Sequence, residues 1–108
     1  MITRIVQLTF QEHLVDEFLK TFEANGPKIR KMKGCHGVDL VQDMYRPYVF
    51  FTLSKWENEE ALNAYRASAL FRDTWKVTKS LFSVPAHAWS TTRANSHFFY
   101  FIKHGLNS

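Results

Sequence analysis

An α+β domain with the element order β-α-β-β-α-β is the fold this sequence predicts, and three observations carry it. The opening segment Thr3 to Phe10 alternates like a strand, two later stretches carry apolar stripes at helical spacing, and three further short β-prone runs are distributed around them. With 108 residues, 45% apolar and 16% aromatic, the chain is long enough for one domain with its own core.

In TRIVQLTF, Arg4, Val6, Leu8 and Phe10 share one side and Thr3, Ile5, Gln7 and Thr9 the other, which defines β1. From His13 the period lengthens: Leu14, Phe18 and Phe22 recur at four, with Val15 and Leu19 beside them, so an amphipathic helix follows. Gly26-Pro27 is expected to interrupt and kink it, because proline lacks an amide proton and crowds the preceding turn. Gly34 then stands where a left-handed cap is wanted, and Val38 to Asp43 reads as β2. Arg46-Pro47 marks a turn into β3, Tyr48 to Leu53, which is apolar on both faces and ends at Trp56. Asn58-Glu59-Glu60 is an N-cap followed by first-turn acids, and Ser68 offers a second cap. Beyond it, one stripe of Phe71, Trp75, Thr78 and Phe82 adjoins another of Leu70, Thr74, Val77 and Leu81. Val84-Pro85 closes the helical region, and Ala86 to Arg93 supplies β4. The order is that of the ferredoxin-like split β-α-β arrangement, a four-stranded antiparallel sheet carrying its helices on one side. The opposite face, with Val49, Phe51 and Leu53, then needs a cover, and a homodimer through the sheet faces provides one.

This domain spans residues 1–93. Residues 94–108 form an extension whose run His97 to Ile102 is apolar and β-prone; left bare it would invite aggregation, so it is expected to pack on the sheet or on the partner subunit.

The net charge of +4 draws on Lys28, Arg30, Lys31 and Lys33, which read as a solvated helix end; no nucleic-acid motif accompanies them. No apolar run approaches membrane-spanning length, and the first residues lack a signal-peptide layout. Cys35 is the single cysteine. The expectation is a cytoplasmic protein that engages neither nucleic acid nor membrane.

Cys35-His36, set between Gly34 and Gly37, invites a metal or nucleophile reading. The remaining histidines, His13, His87, His97 and His104, show no ligand spacing, so no metal site is expected. Neighbouring strand residues face opposite ways, which separates the thiol from its adjacent base. The segment is read as punctuation between a helix and a strand.

RIVQLTF, the Phe18 to Glu23 pattern FxxxFE, Gly34 to Gly37, FFTLSKW, EEALNAYRASALF and the Ala88-Trp89-Ser90 of β4 together resemble the antibiotic biosynthesis monooxygenase family of dimeric α/β barrels. The resemblance covers Met1 to Arg93. It implies a cofactor-independent monooxygenase in which an acidic phenol- or quinol-like substrate loses a proton and its anion passes an electron to O₂. It also implies that Trp56, Tyr65, Phe71 and Trp75 flank the space where family members hold flat aromatic substrates, although a plain core explains the same residues. His36, Asn63, Arg66 and His87 are candidate polar accessories. Members often carry His-x-x-Ser-x-His-Phe where this chain has Tyr65-Arg66-Ala67-Ser68-Ala69-Leu70-Phe71, so both histidines are replaced. That substitution favours an alternative, a non-catalytic small-molecule-binding or structural dimer. The haem-degrading branch places an asparagine, a tryptophan and a histidine where this chain has Val6, Tyr65 and Trp75, which disfavours haem as a cofactor.

Overall fold

The computed structural model describes residues 1–94. Strands β1 (Ile2–Thr9), β2 (Cys35–Gln42), β3 (Val49–Trp56) and β4 (His87–Thr92) form one antiparallel sheet in the order β2-β3-β1-β4. Helix α1 (Val15–Arg30), entered through a short 3₁₀ turn at Glu12–Leu14, and helices α2 (Glu59–Arg66) and α3 (Ala69–Ser80) pack on one face of it. This is the ferredoxin-like arrangement the sequence predicts. The extension beyond Ala94, including the His97 to Ile102 run, lies outside the described residues.

Register fixes which side chains meet the helices. Opposed residues share a face in an antiparallel pair, so Leu8 with Phe50, Val6 with Thr52, Arg4 with Ser54 and Ile2 with Trp56 all turn inward. Ala88 and Ser90 of β4 extend two of these rows, and Leu40 and Val38 of β2 complete them.

Two boundaries differ from expectation. Helix α1 is not interrupted at Gly26-Pro27 but continues to Arg30. Pro27 falls in its last turn, where the missing amide removes one intrahelical bond, and Gly26 offers no Cβ for the proline ring to strike. β2 begins at Cys35 rather than Val38, because a bulge absorbs one extra residue: Cys35 pairs with Trp56 and Gly37 with Lys55, leaving His36 over. The helical region after Trp56 is two helices, each with the N-cap expected of it. The Asn58 side chain accepts from the Ala61 amide at 2.9 Å, and Ser68 Oγ accepts from the Phe71 amide at 3.1 Å.

Gly34 has φ +80° in a turn closed by the Cys35 amide donating to the Met32 carbonyl at 3.0 Å. It also lies directly beneath α2. A Cβ at this position would come within 2.5 Å of the Ala61 Cβ.

Candidate functional site

The apolar interior is divided in two. One cluster gathers Leu8, Phe10, Phe18 and Phe50 at one end of the sheet, with the Phe10 and Phe18 rings stacked at 4.1 Å. The other gathers Ile29, Val38, Trp56 and Leu62 at the opposite end. Between them the inward rows of β4, β1 and β3 carry Ala88, Val6 and Thr52 in one, and Ser90, Arg4 and Ser54 in the next, all short apart from Arg4. Such residues cannot fill the gap between a sheet and its covering helices, and a cavity of about 360 Å³ remains.

One wall of this cavity is aromatic. Tyr65, at the end of α2, and Phe71 meet edge to face at 5.2 Å, and Phe71 lies nearly parallel to Trp75 at 5.9 Å and 8°. Trp75 then meets Phe82 edge-on at 5.6 Å. Phe18 and Phe22 of α1 also line the cavity. The spacing has a local cause, since Ser68 Oγ also donates to the Tyr65 carbonyl at 2.6 Å. The same hydroxyl that starts α3 therefore ties down the end of α2.

Of the residues singled out from the sequence, Tyr65, Phe71 and Trp75 line the cavity together. Trp56 does not. It is fully buried behind Tyr65, stacked on it at 4.8 Å, with its indole N–H donating to Ser54 Oγ at 2.9 Å. Of the polar accessories only Arg66 lines the cavity. Asn63 is exposed on α2, His36 is the exposed bulge residue, and His87 pairs with Gln7 on the far face of the sheet, where it stacks on Trp89. Val6, Tyr65 and Trp75 do share the cavity, and among the described residues no histidine lines it. The Cys35 thiol turns into the second cluster and donates to the Gly37 carbonyl at 3.7 Å, separated from the exposed His36. Among the described residues no group of three or more His, Cys, Asp or Glu converges as a metal site.

Several lining residues were not singled out from sequence, chiefly Arg4, Thr52, Ser54, Thr74 and Thr78. For Arg4 the signal existed: β1 alternation places it on the same side as Val6, Leu8 and Phe10, an arginine among core positions. The residue is partly buried, and its guanidinium donates to Ser90 Oγ at 2.9 Å. Burial, reinforced by the charge of Arg66, pulls its pKa below the usual arginine value. Tyr65 moves the other way. Burial and the neighbouring Cys35 push its hydroxyl up to about 12, so near neutral pH it acts as a hydrogen-bond donor, not a base.

This geometry is matched by known proteins. The family model described as antibiotic biosynthesis monooxygenase matches residues 1–77. The chain belongs to the antibiotic biosynthesis monooxygenase family. Among solved structures, one of an antibiotic biosynthesis monooxygenase is similar with a TM-score of 0.83 at 19% identity, covering 88% of this chain and 100% of that one. A conserved protein from Methanosarcina mazei Go1 gives 0.82 at 17%, covering 87% and 94%. A protein from Pseudomonas aeruginosa gives 0.77 at 19%, also covering 87% and 94%. At such identities the likeness establishes the fold of this family member and leaves its chemistry to the site. No curated protein matches the sequence. No helix among the described residues is long and apolar enough to cross a membrane.

Proposed function

We propose that this family member is a cofactor-independent monooxygenase acting on a small phenol- or quinol-like substrate held in the cavity. The observation that carries this reading is the open space beside Trp75, walled by near-parallel aromatic rings and left between two closed core clusters. A flat ring fits against such a wall by offset or edge-on stacking. In the reaction the substrate loses a proton and its anion passes an electron to O₂. Superoxide and the substrate radical recombine as a peroxide at a ring carbon bearing hydrogen; that C–H bond and the O–O bond then break, leaving a quinone carbonyl on the ring and releasing the other oxygen as water. The substrate itself supplies the electrons, so no external reductant enters. Phe71 and Trp75 enclose the ring and exclude water, Tyr65 donates a hydrogen bond, and Trp56 supports Tyr65 from behind. Among the described residues no Asp, Glu or His lines the cavity, and this reading sends the substrate's proton to solvent.

That missing base also favours a second reading, a binding protein that keeps the fold without turnover. Oxygen uptake with dihydroxynaphthalenes and anthrones separates the two. The oxygenase reading expects one O₂ consumed per substrate, with kcat/KM lowered about tenfold or more in Trp75→Ala, equivalent to about 1.4 kcal/mol. Binding without uptake would leave only the second reading; neither binding nor uptake would remove both.

We further propose a homodimer through the sheet faces. Ile5, Phe51, Leu53, Val41 and Trp89 project from the side opposite the helices, Val41 and Trp89 with 44% and 47% exposure. A second copy presenting the same face would bury them.

A further inference from the structure

We propose that the cavity selects aromatic ligands bearing an anionic oxygen, a carboxylate or an ionised phenol, with Arg4 as its anchor and Arg66 as a second cation at its mouth. This rests on the cavity being a ligand site and adds the ligand's charge.

Both arginines line the cavity. Arg4 enters from β1 between the short side chains of Ser54 and Ser90, and its bond to Ser90 Oγ occupies one of its donors. The other donors meet no protein acceptor among the described residues. Arg66 is exposed at the end of α2 and has neither ion pair nor side-chain hydrogen bond there. The acidic side chains are accounted for elsewhere. Every Asp and Glu of the chain lies between Glu12 and Asp73, within the described residues, and none lines this cavity. Asp43 pairs with Arg46 and Asp73 with Arg72, both outside it.

Two like charges facing one apolar space are unfavourable unless an anion joins them. A guanidinium offers a planar fork that matches a carboxylate and also serves a phenolate oxygen. An open groove carrying Lys76 and Lys79, together with the Asp73-paired Arg72, shares Arg66, Phe71 and Trp75 with the cavity. Basic groups beside the site raise the local concentration of anions. Arg4 would thus hold a phenol in its ionised form, the state from which the proposed electron transfer starts, and no lining base is then required.

The test uses a matched pair, 2-naphthoate and 2-naphthamide, titrated into the full chain and followed by calorimetry. The expected result is about tenfold or more tighter binding of the carboxylate at low salt. That preference should fall to about twofold in Arg4→Gln and shrink in Arg66→Gln, whose exposed position leaves the fold undisturbed. A thermal melt of Arg4→Gln checks its folding; if it is unfolded, the wild-type preference and Arg66→Gln decide. A third arm follows 2-naphthol across its own ionisation. Affinity rising with phenolate fraction assigns the phenolate, and affinity independent of it confines the site to carboxylates. Equal affinity for acid and amide overturns the inference while leaving the oxygenase reading standing, as does a preference that survives in both arginine variants. Charge-selective binding without O₂ uptake supports the inference and removes turnover. Binding of neither probe overturns both.

Discussion

Tyr65 keeps its proton well into the alkaline range, and this has a measurable consequence for stability. Its folded pKa of about 12 lies above the ordinary value of 10.0, so the protonated ring's contribution is complete below about pH 10. It is lost as pH rises from there towards 12, because the unfolded chain ionises first. Denaturant unfolding across this interval should therefore show a decline of about 2 kcal/mol, and Tyr65→Phe should flatten it. An equal decline in both proteins would place the shift elsewhere. At this scale sequence and structure divide unevenly. Phe71 and Trp75 were legible as neighbours because helical spacing brings them onto one face of α3, whereas Tyr65, on α2, joined them only through the family resemblance. Trp56 and Trp75 look alike in sequence, yet one is sealed under Tyr65 and the other faces open space. What separates them is the size of the residues on the sheet beneath, above all Ser54, Thr52 and Ala88. Arg4 was legible in its direction only. Its significance depends on Ser90 and Arg66, which the fold brings to it from distant parts of the chain.

Elements were the most readable level, since capping chemistry is local. Asn58 and Ser68 announce α2 and α3 by side-chain oxygens that satisfy amides three residues on, a relation contained in the sequence itself. Pro27 shows the limit of that locality. Its effect depends on how many helical bonds follow it, and α1 ends only three residues later, at Arg30. The bulge at His36 was invisible because it is a mismatch between β2 and β3, not a property of either strand. Ser68 has a double role, accepting from Phe71 and donating to the Tyr65 carbonyl. Ser68→Ala should cost about 1 kcal/mol in urea unfolding and also weaken aromatic ligand binding by disturbing the Tyr65 to Phe71 contact. A stability loss with ligand affinity unchanged would confine Ser68 to capping.

At the scale of the whole molecule, both faces of the sheet carry apolar side chains, yet all three helices sit on one. Sequence reasoning reached this point from β3 alone, which is apolar on either side. Sedimentation at micromolar concentration should give the mass of two chains, and Trp89→Asp, placing a charge within the proposed contact, should give one. A wild-type protein that sediments as single chains would remove the sheet-to-sheet dimer. The layers themselves are held apart at a distance that Gly34 helps to set. Because no atom extends from Gly34 towards Ala61, α2 settles low over the sheet and brings Tyr65 and Arg66 down with it. Even one added methyl would act as a shim, lifting the roof of the chamber together with part of its aromatic wall and one of its two cations. A residue that touches no ligand thereby gauges how thick a guest the chamber admits.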